Sequence, residues 1–138
     1  MLACRQAGAA DIPLLAKLNL QLIHDEGHRN PMDEARLQDR MRGWLNSGEY
    51  RAVLFETDGT VAAYALYKPG DDYTYLRQFF VCREFRRRGI GRQAMDILWA
   101  EIWPADTRLR VEVLANNHPA RKFWESVGFL TYSLTLEM

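Results

Sequence analysis

Apolar residues in the first third of the chain recur at helical spacing. Leu14, Leu15, Leu18 and Leu22 follow Asp11, an N-cap type, and Pro13, a first-turn residue. A helix is expected there, after a short strand in LACRQA. HDEGHRNPM, residues 24–32, reads as a loop by its glycine, asparagine and proline. A second helix is expected with Leu37, Met41, Trp44 and Leu45 on one face. The pattern then changes period. RAVLFE and TVAAYALY are β-rich runs flanking Thr57-Asp58-Gly59, a hairpin signal, and YTYLRQFFV is a third long strand.

The second half alternates helix and strand. Gly89 to Trp103 is helical through Ala94, Leu98 and Ile102, and Pro104 stops it. RLRVEVL is expected as a strand. Asn117 and Pro119 open another helix, which has Ala120, Phe123, Trp124 and Val127 on one side and Gly128 as its cap. FLTYSLTLEM is expected to close the sheet. The order is strand, two helices, three strands, helix, strand, helix, strand. It implies an α/β fold with a mixed sheet, an antiparallel meander followed by a crossover to a parallel neighbour.

At 138 residues the chain suits one domain, 1–138. Eighteen basic and 18 acidic side chains cancel, so overall charge gives no support to nucleic-acid or membrane binding. The positive charge is local instead: Arg83, Arg86, Arg87, Arg88 and Arg92 fall within ten positions. Cys4 and Cys82 form no CxxC pair, which argues against a disulfide framework or a zinc site. No apolar stretch approaches membrane-spanning length and no signal-peptide core opens the sequence, so a cytoplasmic setting is expected.

EFRRRGIGR, residues 84–92, joins a strand to a helix. Helix N-termini present unpaired amides and partial positive charge, glycines let an anion approach the backbone, and arginines add paired donors. The construction suits a pyrophosphate, held by Arg86, Gly89, Gly91 and Arg92. Three rivals stand beside it: a solvated basic turn, a dinucleotide fingerprint (Gly89-Ile90-Gly91-Arg92-Gln93-Ala94 with Glu112 beyond), and a nucleic-acid patch using Phe79, Phe80 and Phe85. Three arginines between strand and glycines, and antiparallel strands upstream, weigh against the dinucleotide reading.

Arg86-Arg87-Arg88-Gly89-Ile90-Gly91 resembles Q/R-x-x-G-x-G/A, the acetyl-CoA signature of the GNAT superfamily of N-acetyltransferases. Asn117 to Phe129 is similar to that family's N-x-x-A-x-x-F-Y-x-x-x-G-F stretch. The resemblance covers essentially the whole chain. It implies the GNAT acyl-CoA N-acyltransferase fold: antiparallel strands, then a splayed parallel pair, flanked by helices. It also implies acetyl-CoA as cosubstrate, with no metal. The pantetheine arm would pair with Phe79, Phe80 and Val81, opposite Arg108 to Leu114, and the Val81 amide would hold the thioester oxygen. Amides of Arg87, Arg88, Gly89, Ile90, Gly91 and Arg92 would take the pyrophosphate. Asn117, Arg121 or Lys122, Phe123 and Trp124 would meet the rest of the carrier, Asn117 also serving as an N-cap.

The reaction implied is direct acetyl transfer to the amine of a small molecule or peptide in a ternary complex. Trp124 stands where the family's proton-returning tyrosine stands, and indole is no proton-transfer acid near neutral pH. Its place on the helix's apolar stripe makes packing its leading role, and Tyr132 and Tyr75 become candidate acids. In HDEGH, Glu26 is the candidate base, with His24, Asp25 and His28 around it. Cys82 reads as a buried, inert thiol. Five acidic residues (Asp25, Glu26, Asp33, Glu34 and Asp39) hint at a cationic acceptor. A homodimer is common in this family, and FLTYSLTLEM offers an edge for one. The departure at Trp124 keeps open a second class of function, an acyl-CoA-binding sensor or interaction module with little turnover.

Overall fold

A computed structural model describes residues 1–138. Five strands lie in the order β1-β2-β3-β4-β5: β1 Ala3–Gln6, β2 Arg51–Thr57, β3 Thr60–Lys68, β4 Tyr73–Val81 and β5 Arg108–Val111. Neighbours among the first four are antiparallel, and β5 is parallel to β4. The β2–β3 turn places both Asp58 and Gly59 at positive φ, the backbone a two-residue hairpin needs.

Helices cover both faces. On one side, α1 (Ile12–Glu26) and α2 (Glu34–Ser47) bury Leu15, Leu18, Leu22 and Met41 against Leu54, Tyr64 and Leu66. On the other, α3 (Ile90–Ile97) buries Ile90, Ala94 and Met95 against Val53, Phe55, Ala63 and Ala65, with Phe123 and Trp124 of α4 (His118–Ser126) packed alongside. Being covered twice explains β3, where Ala62 to Leu66 are wholly buried and alanines let the helices approach. Each large apolar side chain so buried contributes roughly 1.5–3 kcal/mol.

α2 is capped as its sequence suggests, with Asp33 accepting from the Arg36 amide at 2.9 Å. At α1, Asp11 holds the cap position but turns its carboxylate back to the Gly8 amide and to Arg5. The third helix does not run regularly to Trp103. Its last turn, Leu98–Ile102, widens to a π-helix, which brings Trp103 under the sheet with Leu98, against Tyr67.

Two differences from the sequence pattern shape the molecule. β4 carries a bulge: Leu66 pairs with Gln78 and Tyr67 with Leu76, leaving Arg77 unpartnered. Before it, Leu76 faces α3; after it, Phe79 and Val81 do, while Gln78 and Phe80 face α1 and α2. Pairing with β5 ends at the same point, at Leu76–Val111, so β5 is shorter than RLRVEVL and Arg77 to Val81 have no strand beside them on the β5 edge. The expected closing strand is also absent. Residues 129–138 form no ladder, because β5 offers only a four-residue edge and no helix covers the far side. Leu130, Tyr132, Leu134 and Leu136 are exposed, and the segment is held by the Phe129 ring and amide on Trp124, by Tyr132 near Arg110, and by an Arg29–Glu137 ion pair at 3.0 Å.

Candidate active site

Where β4 and β5 part, a cavity of about 590 Å³ opens. Its floor is β4 from Leu76 to Val81. Leu22, Asp25 and Glu26 of α1 close one side, and Val111, Glu112, Asn117, Phe123 and Trp124 the other. Arg86, Arg87, Gly89, Ile90, Gly91 and Arg92 form one end.

That end gathers positive charge and unpaired amides. Arg87 and Gly89 both take left-handed backbone, at φ 64° and 73°, which turns the chain out of the strand and into α3. None of the six amides from Arg87 to Arg92 has a backbone acceptor; the first to find one is Gln93, which donates to Gly89 O at 3.0 Å. Gly91 has little room for a side chain. A Cβ there would lie 3.0 Å from the Phe123 ring. Arg92 donates to Ser126 O at 3.1 Å, tying α3 to α4.

The strand beside the gap offers its own unpaired groups. Cys82 N donates to Ala62 O at 2.8 Å, so antiparallel alternation turns Phe80 and Gln78 toward β3 and aims the peptide groups of Phe79 and Val81 into the splay. Val81 O accepts from Arg86 Nε at 2.9 Å, which agrees. Phe80 therefore contributes a ring to the cavity but no free backbone edge.

Asp25 has a definite task. It accepts from Arg83 Nη2 at 2.6 Å and from Arg86 Nη2 at 2.8 Å, pinning the end of α1 to the arginine turn. Burial pushes its carboxyl up, but the two guanidinium hydrogen bonds outweigh this and leave it below its ordinary value. Glu26 differs. Burial, then the charge of Asp25, raises its pKa, and it faces the cavity. Behind it the buried Tyr64 hydroxyl donates to Gln78 Oε1 at 2.8 Å.

Other candidates lie elsewhere. Tyr132 is 85 % exposed and outside the cavity. Tyr75 donates to Glu112, and burial followed by that bond pushes its hydroxyl far up, which makes it a poor acid. Lys122 and Arg88 do not line the cavity; Arg88 lies over Phe85, and Arg121 donates to Ala115 O. Trp124 does line it, packed among Phe79, Phe123 and Phe129. Asn117 caps α4 through the Ala120 amide at 3.3 Å. Cys82 is buried, and burial raises its thiol. No three His, Cys, Asp or Glu side chains converge as a metal site. The acidic group disperses: Asp25 pairs with arginines, Asp33 caps a helix, Asp39 pairs with Arg42, and Glu26 alone of these is left facing the cavity uncompensated. Sequence reading missed the parts played by Asp25 and Arg77. An Arg-rich turn needing a counter-ion was the one available signal for Asp25.

The profile of the acetyltransferase (GNAT) family matches residues 19–129. The chain belongs to the GNAT family. Among curated protein sequences none matches significantly. Solved structures show the same GNAT fold at low identity. A possible acetyltransferase from Clostridium difficile 630 superposes with a TM-score of 0.80 at 18 % identity, covering 100 % of this chain and 96 % of the other. A predicted acetyltransferase from Clostridium acetobutylicum, solved with acetyl-CoA, gives 0.76 at 19 %, covering 100 % and 96 %. AAC(6')-Iy, in complex with the bisubstrate analogue CoA-S-monomethyl-acetylneamine, gives 0.77 at 17 %, covering 100 % and 97 %. No helix of this GNAT chain is long and apolar enough to cross a membrane.

Proposed function

We propose that residues 1–138 form one acetyl-CoA-dependent N-acetyltransferase domain, which acetylates a primary amine of a small molecule or peptide by direct transfer. The observation that carries this is the run of six unpartnered amides from Arg87 to Arg92, in residues that all line the β4–β5 cavity except Arg88. Similar folds solved with acetyl-CoA and with a CoA-linked amine analogue support it.

The residues fit that cosubstrate. The six amides, with Arg86 and Arg92, would hold its pyrophosphate. The peptide groups of Phe79 and the Val81 amide would pair with the pantetheine arm, the Val81 carbonyl being taken by Arg86, and Phe123 and Trp124 would wall it. When bound, acetyl-CoA supplies an activated thioester. The Val81 amide then donates to the carbonyl oxygen as charge gathers there. Glu26, uncompensated and raised in pKa, takes the proton of the attacking amine, directly or through water. Its higher basicity brings it nearer the working pH. The departing thiolate, whose conjugate acid has a pKa near ~8.5 by the cysteine reference, takes its proton from water, since neither tyrosine candidate is placed or poised to give one. Exposed Leu130, Tyr132, Leu134 and Leu136 favour a homodimer joined through that segment, which light scattering at several concentrations tests.

Thermal melting with acetyl-CoA against NAD tests the central reading. Ligand at about 100 times its dissociation constant stabilises by roughly 2.7 kcal/mol. A shift with acetyl-CoA alone, followed by amine-dependent thiol release, is expected. A shift with NAD alone would refute the proposal. Binding without release for any amine would favour the sensor.

A further inference from the structure

The bulge residue Arg77 lines the cavity at the end away from the arginine turn, and its surroundings have no bearing on acetyl-CoA. Its guanidinium carbon lies 4.8 Å from the centre of the Trp44 ring and 5.7 Å from that of Tyr50, and Nη1 donates to the Tyr50 hydroxyl at 3.2 Å. A second guanidinium, that of Arg40, lies 4.5 Å from the same Trp44 ring. Arg40 donates to Asn19 Oδ1 at 3.1 Å, while its Nε is buried with no partner. Burial, then the charge of Arg77, lowers the pKa of Arg40.

Two like charges have been brought to one indole, one of them half-buried, and neither has a carboxylate partner. Five arginines elsewhere in the chain, Arg5, Arg29, Arg42, Arg83 and Arg86, each pair with an acid, and what sets Arg40 and Arg77 apart from the other unpaired ones is that both lie over a single ring. Leaving a buried donor unmade and a cation pair uncompensated costs stability. The aromatic rings hold both guanidiniums in place without neutralising them.

We infer that this cluster is an anion subsite for the acceptor, so that the molecule acetylated carries a carboxylate at a distance from its amine. The inference rests on the acetyltransfer reading and names its substrate class: an ω-amino acid, or a peptide with a free carboxylate. Arg77 takes the carboxylate through its free guanidinium edge, and Arg40 adds charge from behind Trp44. Along β4, Arg77 stands four residues before Val81, or about 13 Å. The amine and the carboxylate are accordingly separated by several bonds, with Glu26 at the amine end. This reverses the hint of a cationic acceptor, since the acids behind that hint, Glu26 apart, are engaged or face elsewhere.

Glycine, γ-aminobutyrate and ε-aminocaproate, each compared with its own carboxamide, test the idea on the full chain. Tryptophan fluorescence follows binding, with Trp44→Phe identifying the reporting ring. The expected result is that ε-aminocaproate binds roughly tenfold or more tightly than its carboxamide, and glycine shows no such preference. Arg77→Gln removes the preference and Arg77→Lys restores part of it. In acetyl transfer, Arg77→Gln raises KM for ε-aminocaproate about tenfold and changes kcat by less than about twofold, the mark of lost ground-state binding. Equal binding of carboxylate and carboxamide, or a preference that survives Arg77→Gln, overturns the inference and leaves the acetyl-CoA reading standing. Failure of acetyl-CoA to shift the melt overturns that reading instead, and the fluorescence titration then decides by itself whether the anion subsite exists.

Discussion

Removing the Tyr64 hydroxyl, as Tyr64→Phe, tests whether the polar pair under the cavity floor organises it. Tyr64 is wholly buried and its hydroxyl donates to Gln78 Oε1 at 2.8 Å. Phenylalanine keeps the ring's packing against the α1 side and strands a buried amide oxygen. The loss is the desolvation of that oxygen, about 1.5 kcal/mol. For 138 residues the unfolding entropy is about 290 cal/mol/K, so the melting point should fall by about 5 °C. A second substitution supplies the control: adding Gln78→Leu removes the stranded acceptor and should recover most of the loss. Calorimetry of wild type, both single variants and the double variant completes the cycle. If Tyr64→Phe melts within about a degree of wild type, or if Gln78→Leu adds its full cost to the double variant, the pair is not coupled and the argument fails.

Three further outcomes are expected. Gly91→Ala sets a helix-propensity gain of up to about 1 kcal/mol against about 1–3 kcal/mol of overpacking on Phe123, so a melt should show a net loss near 1 kcal/mol and acetyl-CoA should bind more weakly. Glu26→Gln should lower turnover yet raise the melting point at neutral pH. Because the folded pKa is raised, wild-type stability falls as pH climbs from the ordinary carboxylate value, about 4.3, to the folded one, and the two proteins should converge below it. Asp25→Asn should behave in the opposite sense. A depressed pKa stabilises above about 3.9 and is lost as pH falls through the folded value, so the variant should melt lower at pH ~7 and approach wild type in acid.

Periodicity made much of the fold legible. β4 runs from Tyr73 to Val81, the strand the pattern marked, and the Thr57–Gly59 hairpin and four helices lie in the expected places, although α1 runs on through Glu26 into what read as a loop and the third helix is regular only to Ile97. Those features are local, each set by spacing within a dozen residues. The glycine-arginine turn was legible for the same reason, since loose backbone and charge adjoin in sequence. Long-range choices were not. Nothing in HDEGH says that Asp25 reaches Arg83 and Arg86, about 60 positions away. The alternation in FLTYSLTLEM promised a strand, but a ladder also requires a neighbour with free length, and β5 stops at Val111. Tyr132 went with that segment, out to solvent. Equally hidden was the bulge, because YTYLRQFFV reads the same whether or not one residue is skipped.

That skipped residue has a wider consequence. A bulge depends on how many residues a strand has and scarcely on which residue is extra, so the slot between β4 and β5 is encoded by a count. Shortening β4 by one at Arg77 should close the slot and turn Phe79 to Val81 over, whatever the side chains. Exchanging Arg77 for another residue should leave the slot intact. The position that opens the cleft is thus the one where identity can drift without cost to the architecture, and the chemistry of the cavity wall can change there by a single substitution.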